Sequence, residues 1–476
     1  MKRTIIGVLC LALLCAISAP AFALETTLSG FYKLRMIGDN FSARNNFIGD
    51  LVDNNKDEAV VDQRLRMKLN TKVNENLSFV YYAEVDMQFG DESYSNDGRN
   101  DGGAIGGDTT NLETKNLYID VKVPDTDLAV RAGLQGLDDN YNYTFFGADM
   151  AGIKLDTKVG PAAVTAGWFN LGNGGRFQNS DNLNLWALQT NFTPSENLKL
   201  GVDYYYYQNQ GSDPGQQLYA SYFGTADIGE VSGTSTNWSA TREAMDLHYL
   251  GGHADFKLGS ISLTGWVNTN IGSVDNLTIN GTPMDVDVQG YAGSIKATTV
   301  LNGFSLAARG TFFSGDDDLS DGDADFIINP LATESFAFAT DGFMIMTPDI
   351  NWNSVGQYGF AMVDAAWAGY GLISGNVTAS FKPSETTYVK GGIGYFASLE
   401  DSVKDDRTSR KGTTLGTEFF LRAGIKVDKN LDLSLNGAYA TLGDFYDNNG
   451  GGQSANVLAS DIDDPYEVYA QATLSF

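Results

Sequence analysis

Basic side chains recur at every second position in one segment of this chain, and that spacing limits the chemistry they could do. Arg64, Arg66 and Lys68 occupy even positions, while the odd positions between them, Leu65 and Met67, are apolar. A period of two indicates a β-strand with one apolar and one ionic face. Fixed cations without a neighbouring nucleophile or base bind or steer anions, so the chemistry that this pattern predicts is electrostatic.

The same alternation in other segments predicts which further charged residues share the ionic face. Cations outnumber acids there, which would favour anions because low-dielectric walls focus the field of unpaired charges. In the alternative interpretation each arginine pairs with a nearby acid, as Arg64 and Arg66 could with Glu84 and Asp86, and merely solvates the wall. The residues predicted to line an interior are Lys33, Arg35, Arg64, Arg66, Lys68, Glu84, Asp86, Arg131, Lys154, Arg309, Lys390 and Arg422, with Asp120, Asp203 and Glu418 as further inward acids.

The composition excludes several classes of protein. The 476 residues carry 59 acidic and 31 basic side chains, a formal net charge of −28, whereas a nucleic-acid binder presents a basic stripe to phosphates. The two histidines, His248 and His253, are an odd number of positions apart and would face opposite sides of a regular strand. No serine motif pairs with either histidine, so the sequence predicts neither an enzyme nor a cofactor.

Ionic faces of this kind must be positioned by strands, and the chain contains many alternating segments. Eight short turns rich in Asn, Asp, Gly and Pro alternate with nine long polar loops, which predicts about eighteen strands, with sixteen as the alternative. No run of 18 apolar residues follows Leu24, so no transmembrane helix is expected. The long loops are predicted near 38–59, 90–112, 138–149, 171–182, 208–243, 272–287, 314–369, 398–413 and 443–464.

This organisation predicts an all-β fold, a transmembrane antiparallel β-barrel with short periplasmic turns and long extracellular loops. A secreted β-sandwich or propeller array would also alternate, but no blade-like repeat is present. Residues 1–23 are expected to be a cleaved secretory signal peptide, since an apolar stretch over 5–17 precedes the cleavage pattern Ala21–Ala23. Residues 24–476 would then form a single barrel domain.

Four short segments resemble parts of known outer-membrane proteins. Leu28–Met36, Asp62–Asn70 and Ser314–Asp318 resemble segments of Gram-negative porins and of alginate-export-type barrels, and Tyr466–Phe476 resembles the terminal strand of outer-membrane proteins. The resemblance implies a location in the bacterial outer membrane, contact with its lipid and lipopolysaccharide, and recognition of Phe476 by the barrel-assembly machinery. A homotrimer, which is typical of porins, is a further expectation.

Loop 314–369 is expected to constrict or cover the pore. It begins with a cluster of aspartates and continues into Phe343–Met346, a run too apolar for a fully solvated loop. The aspartates miss the EF-hand register because the glycine is displaced, so no specific metal site is predicted, and a solvated tip or one bridged to lipopolysaccharide by divalent ions is preferred. The loop residues that remain metal candidates are Asp316, Asp318, Asp321 and Asp323.

Together these features predict a porin for passive diffusion of small hydrophilic solutes and ions. Eighteen strands leave an aqueous channel unless loops plug it. The expected preference for anions is mild and rests mainly on Arg64 and Arg66. The alternative is a channel that exports or imports a specific acidic solute, such as an anionic polysaccharide, because an arginine-lined lumen suits an acidic polymer. An adhesin or receptor role of the loops is a third interpretation.

Overall fold

The wall of the molecule consists of long antiparallel strands that follow the order of the chain. The computed structural model describes residues 24–40, 58–90, 103–105, 112–172, 183–209, 244–279, 282–318, 321–329, 341–347, 361–367, 369–401, 412–446 and 463–476. The predicted signal peptide lies outside the described residues. The strands are β1 (Glu25–Asp39), β2 (Glu58–Asn74), β3 (Leu77–Gln88), β4 (Leu112–Lys122), β5 (Ala129–Asp138), β6 (Gly147–Val159), β7 (Ala162–Gly172), β8 (Leu183–Ser195), β9 (Leu198–Asn209), β10 (Met245–Leu258), β11 (Ile261–Ile279), β12 (Thr282–Leu301), β13 (Phe304–Phe313), β14 (Asp323–Ala324), β15 (Leu372–Phe381), β16 (Thr387–Ala397), β17 (Thr414–Lys426), β18 (Leu431–Leu442) and β19 (Tyr466–Ser475).

The sheet closes on itself because its first and last strands pair with each other. β1 pairs with β2 and, from Phe31 opposite Ser475 to Asp39 opposite Glu467, with β19. β14 has only two residues, pairs in parallel with β12 and is not part of the wall, in which β13 pairs directly with β15. The wall is therefore a closed antiparallel barrel of eighteen strands, and the predicted fold class is confirmed.

Every second connection around the barrel is a short turn, and these turns share one rim with the start of β1 and the end of β19. A short turn joins β2 to β3, β4 to β5, β6 to β7, β8 to β9, β10 to β11, β12 to β13, β15 to β16 and β17 to β18. In the turn between β12 and β13, Asn302 and Gly303 both have positive φ, 51° and 83°. Asn-Gly is the pair that such a two-residue turn requires, because its backbone twist matches that of the flanking strands.

One of the predicted long loops is wrong. The sequence predicts that segment 272–287 leaves the wall, yet β11 runs to Ile279 and β12 begins at Thr282, and the two strands remain paired up to Ile279 opposite Thr282. A register shift between Val274 and Leu277 lets the hairpin continue beyond an irregular stretch. Proline is accepted here because it lies near the tip of the hairpin, where a missing N–H interrupts little of the ladder.

The outer face of the wall is apolar. Large aliphatic side chains stand out from it, among them Val267 (67% exposed), Ile295 (60%) and Leu421 (60%). Water would penalise so large an apolar surface, whereas the hydrocarbon core of a bilayer accepts it. Because the barrel is closed and its outer face is apolar, the protein is an outer-membrane β-barrel. Within the described residues no helix is both long and apolar enough to cross a membrane.

The buried apolar core lies inside the barrel, toward the rim that carries the long connections. It combines strand ends from that rim, such as Leu183 and Leu415, with residues from the connections themselves. Side chains of the connection between β5 and β6 and of the connection between β13 and β15 contribute many of the members: Tyr141, Phe145, Phe146, Phe326, Ile327, Ile328, Phe343, Met344, Ile345 and Met346. Loop residues therefore fill much of one end of the lumen.

Candidate functional site: the barrel lumen

Charged side chains in the wall alternate with apolar side chains that are exposed outside. Arg35 is 1% exposed, whereas its neighbour Met36 is 61% exposed. In a closed barrel the buried face of such a strand is the inner face, and the structure places all the predicted lining residues on it. Lys33, Arg35, Arg64, Glu84, Asp86 and Arg309 are buried, and Arg66, Lys68, Arg131, Lys154, Lys390 and Arg422 are half-buried. Their role in permeation stays a prediction.

Three arginines of β1 and β2 pair with carboxylates directly across from them. The Arg35 guanidinium donates to both oxygens of Asp62, with Nη2–Oδ2 at 2.6 Å and Nε–Oδ1 at 3.1 Å. Arg64 donates to both oxygens of Asp86, each at 2.7 Å. Two-pronged bonds of this kind are geometrically specific and strong. We call the three pairs, of which the third joins Arg66 to Glu84, the β1–β3 ladder.

The β1–β3 ladder follows from strand register. Arg35 lies opposite Asp62 in the β1–β2 pairing, and Arg64 and Arg66 lie opposite Asp86 and Glu84 in the β2–β3 pairing. Directly opposed side chains on the same face are the closest neighbours that a sheet provides. The structure therefore agrees with the interpretation in which the arginines pair with nearby acids. The charges of these guanidinium groups are largely compensated by the carboxylates.

Two further cations of the wall also have carboxylate partners. Arg131 Nη2 lies 2.7 Å from Asp120 Oδ2, and the same guanidinium covers the ring of Tyr118 at 4.5 Å. Lys154 Nζ lies 3.2 Å from Asp156 Oδ2. These groups retain between 15% and 39% of their side-chain exposure, so water in the lumen screens them more than it screens the β1–β3 ladder.

Four of the remaining predicted cations contact aromatic groups. Lys33, Lys68 and Lys390 lie over the rings of Phe31, Tyr82 and Phe420 at 5.4, 5.9 and 6.0 Å. Arg422 donates a hydrogen bond to the Tyr469 hydroxyl at 3.2 Å. A ring or a phenol stabilises a cation without removing its charge.

One segment of the connection between β13 and β15, residues 341–347, lies inside the barrel against the arc of wall from β12 to β17. Its first residue, Asp341, contacts Lys296 Nζ at 2.7 Å and Arg309 Nε at 2.8 Å, on β12 and β13. Its other end is held by Glu418 of β17, whose carboxylate accepts the backbone N–H groups of Met344 (2.7 Å), Ile345 (3.2 Å) and Met346 (2.7 Å). Between these anchors Phe343 packs against the rings of Phe396 and Phe420.

A second segment of the same connection packs against strands β10 and β11, which lie next to β12 in the wall. The Ile328 carbonyl accepts hydrogen bonds from the Tyr249 hydroxyl and, at 3.2 Å, from Asn270 Nδ2. Asn329 Nδ2 donates to the Phe145 carbonyl at 3.0 Å, which ties this segment to the connection between β5 and β6. These two segments of loop 314–369 thus lie inside the barrel, and the constriction or lid that the sequence predicts for the loop stays a prediction.

The connection between β5 and β6 is organised around a single buried carboxylate. Asp139 accepts the backbone N–H groups of Tyr141, Tyr143, Phe145 and Phe146 at 2.6 to 3.0 Å. Burial raises the pKa of Asp139 from its ordinary value of 3.8 to about 7, although the four N–H donors oppose that rise. The carboxylate is the hub of this inward-folded loop, which places Tyr141 and Phe145 against Trp266.

The loop aspartates that were weak metal candidates bind their own backbone. Asp316 accepts the N–H groups of Asp318 at 2.7 Å and Asp325 at 2.8 Å, and Asp321 accepts that of Asp323 at 3.0 Å. In the described part of the chain, the one set of three carboxylates with oxygens within 4.8 Å of one another is Glu84, Asp86 and Glu113. Two of those three already pair with Arg64 and Arg66, which disfavours a cation there.

The two histidines lie on opposite faces of β10, as their spacing predicts. His248 points outward, stacked on Tyr206 with ring centroids 4.6 Å apart, and its Nδ1 lies 2.7 Å from the Tyr204 hydroxyl. His253 points inward, with Nε2 3.6 Å from Asp203 Oδ2. Among the described residues, the contacts of the two rings are to tyrosine and aspartate.

Sequence reasoning predicted Arg309 but missed Lys296, the other cation that shares Asp341. Lys296 lies between Ser294 and Thr298 on the inner face of β12, so the alternation contained a signal for it. Asp341 carries no such signal, because it belongs to an irregular loop 45 residues further along the chain. The anchoring role of Glu418 was likewise invisible, although its inward direction was predicted.

Comparison with known proteins supports the fold. No family model and no curated protein matches the chain. Among solved structures, it is similar to OccK5 (OpdH) of Pseudomonas aeruginosa, with 11% identity, a TM-score of 0.51 and coverage of 95% of this chain and 98% of that one. It is also similar to a variant of OccD1 (OprD), with 10% identity, a TM-score of 0.53 and coverage of 96% of this chain and 97% of that one. OccAB2 of Acinetobacter baumannii shows 10% identity, a TM-score of 0.51 and coverage of 95% of this chain and 98% of that one. At such low identity the similarity concerns the barrel architecture, and it extends over nearly the whole chain.

Proposed function

We propose that this protein is an outer-membrane channel through which small hydrophilic solutes and ions diffuse passively, with a mild preference for anions. The observation that carries the proposal is the closed barrel of eighteen strands with an apolar outside and a charged, polar inside. Barrels of this size enclose an aqueous channel, which loops narrow to varying degrees. The similarity in architecture to OccK5, OccD1 and OccAB2 supports the proposal of a channel.

The anion preference is mild because carboxylates neutralise the arginines on which the sequence-based prediction mainly rests. Arg64 pairs with Asp86 and Arg66 with Glu84 in the β1–β3 ladder. The charge that remains to act on solutes belongs to side chains such as Lys68, whose contact is the ring of Tyr82. Rings of charged side chains set ion preference in water-filled pores, so one such lysine biases the lumen without closing it to cations.

A channel for one class of acidic solute is the second candidate, and the filling of the lumen favours it. Segments 326–329 and 341–347 occupy the interior, with Phe326, Phe343 and Met346 buried. A pore narrowed in this way brings solutes into contact with the wall, whereas a wide pore lets them pass in bulk water. The acidic solute of this proposal, such as an anionic polysaccharide, would meet Lys296, which is partly exposed.

Several partners belong to the same proposal. Residues 1–23 direct export, and residues 24–476 form the barrel in contact with lipid and lipopolysaccharide. Phe476 exchanges backbone hydrogen bonds with Gly30 at 2.8 and 3.0 Å, which joins the last strand to the first. A terminal residue at that seam suits recognition by the barrel-assembly machinery. A homotrimer remains part of the proposal.

Conductance of the purified protein in planar bilayers tests the proposal. An open diffusion channel gives discrete current steps in potassium chloride, and an acidic oligosaccharide reduces them only weakly. A channel specific for an acidic solute gives smaller steps that the oligosaccharide blocks strongly. A folded protein that leaves the bilayer silent would contradict both candidates and favour the adhesin or receptor role of the loops.

A further inference from the structure

One loop carboxylate inside the barrel bridges two cations of the wall. Asp341, 1% exposed, lies 2.7 Å from Lys296 Nζ and 2.8 Å from Arg309 Nε. We propose that Lys296 and Arg309 form a binding site for a solute carboxylate, that Asp341 occupies this site as an internal ligand, and that the solute competes with Asp341 for it. We call the pair of cations the anion seat. The proposal deepens the proposed channel function and rests on it.

The wall beside the anion seat carries two buried hydrogen-bond donors that have no acceptor among the described residues. Asn376 lies opposite Arg309 in the β13–β15 register, and Ser374 lies opposite Thr311 one inward position further along. Both side chains are about nineteen-twentieths buried, and among the described residues neither Asn376 Nδ2 nor Ser374 Oγ has a hydrogen-bond partner. A buried donor without an acceptor costs free energy. An oxygen-rich group that entered the seat would supply acceptors for them.

The contact of Asp341 is built differently from the pairs of the β1–β3 ladder. In two of those three pairs, one guanidinium holds both oxygens of one carboxylate, as Arg64 holds Asp86. Asp341 instead gives one oxygen to Lys296 and the other to Arg309, so no two-pronged bond locks it in place. The side chain of Lys296 keeps 22% of its exposure, which leaves the anion seat open to the lumen on that side.

The backbone around Asp341 allows the carboxylate to reach the seat. Gly342 follows it with a φ of +100°, a conformation that favours glycine, and a Cβ there would lie 3.1 Å from Lys390 Nζ. A third cation therefore approaches the same turn. The field at the anion seat comes from Lys296, Arg309 and Lys390 together, which favours an anion over a neutral solute.

The chemistry of the internal ligand indicates the chemistry of the solute. Asp341 presents a carboxylate on a short aliphatic stem, so a small monocarboxylate is the nearest mimic. When such a solute binds, Asp341 is released, and segment 341–347 loses one of its two attachments while Glu418 retains the other. Solute binding would thereby loosen a segment that lies inside the barrel.

Binding of propionate to the folded, detergent-solubilised protein tests the proposal, with propionamide as the matched neutral probe, both followed by NMR titration. When a site is mostly occupied by an internal ligand, its apparent affinity for the solute equals the intrinsic affinity multiplied by the fraction of molecules in which the site is empty. Asp341→Asn should therefore bind propionate about tenfold more tightly than the wild type. Adding Lys296→Gln to that variant should abolish the gain, and propionamide should bind weakly throughout.

Equal propionate affinity in the wild type and in folded Asp341→Asn would overturn the proposal. Should that variant fail to fold, the wild type alone decides, because equal binding of propionate and propionamide would overturn it as well. The conductance of the wild type in potassium chloride is a separate readout. A protein that prefers propionate but does not conduct would retain the anion seat and refute the channel.

Discussion

The β1–β3 ladder and the anion seat use the same kinds of charge to different effect. In the ladder, each arginine meets a carboxylate of the adjacent strand, 18 to 27 residues away, and the pair is part of the rigid wall. At the anion seat, the cations belong to the wall but their carboxylate comes from a loop. A wall pair cannot separate without disturbing the sheet, whereas a loop carboxylate can leave while the strands remain in place.

This difference separates structural charge from charge that a solute can use. Breaking a buried pair by removing one partner strands the other charge, and the cost is high because neither can reach water. Where a cation is partly exposed and its partner lies on a loop, water or a solute can replace the partner. We therefore expect the ladder to dominate stability and the lumen cations outside it to dominate permeation.

The largest expected effect comes from removing one acid of the ladder. Asp86→Ala leaves Arg64 buried, and it should destabilise the protein by about 3–5 kcal/mol, as is typical when one partner of a buried pair is lost. Arg64→Met combined with Asp86→Leu should recover most of that loss, because both charges of this pair are then absent. Urea unfolding in lipid vesicles measures both. A double variant as unstable as the single one would contradict the assignment of the ladder to stability.

A smaller effect is expected where the wall holds the loop. Glu418→Gln removes one acceptor oxygen from three buried N–H groups, those of Met344 to Met346, and should cost about 1–3 kcal/mol locally. Hydrogen exchange should speed up at these three amides and stay unchanged in β17 and β18. Glu385→Gln, in the exposed turn before β16, is the matched control. Unchanged protection at 344–346 would mean that Glu418 does not anchor the segment.

A third expected effect concerns charge selectivity and separates Lys68 from the ladder. Lys68→Gln should shift the zero-current potential in a salt gradient toward cations, because the cation contacts a ring and no carboxylate among the described residues. The shift should shrink as salt rises, since the Debye length falls from about 10 Å at 0.1 M to about 3 Å at 1 M. Lys429→Gln, in the exposed turn between β17 and β18, should have no effect. An equal shift in both variants would show that lumen position is irrelevant.

The smallest expected effect is a pH dependence of the loop between β5 and β6. Burial raises the pKa of Asp139 from 3.8 to about 7, so folding of the loop favours the protonated acid. That stabilisation is fully present below the unfolded value and is lost as the pH rises through 7. Amide exchange of Phe145 and Phe146, corrected for its intrinsic pH dependence, should therefore be faster at pH 8 than at pH 5. Asp139→Asn should remove the difference, and a wild-type loop indifferent to pH would contradict the expectation.

The sequence by itself determined the barrel and the faces of its strands. Alternation with a period of two placed Arg64 and Glu84 inside and Leu65 outside, because an arginine facing lipid would cost roughly 2–4 kcal/mol near the midplane. Turn chemistry located the hairpins, as at Asn302-Gly303. Once short turns fixed the register, the ladder partners Asp86 and Glu84 followed as one of two open interpretations. The hairpin through 272–287 was missed because its polar residues resemble a loop.

Only the tertiary structure decided which charges are compensated and what fills the lumen. Asp341 meets Lys296 and Arg309 because an irregular segment folds back into the barrel, and no periodicity relates a loop residue to a strand face. The same holds for Glu418, whose three N–H donors are backbone groups that any sequence would supply. Strand faces are set by local alternation against lipid and water, whereas the position of a loop inside a lumen depends on the summed packing of many distant side chains.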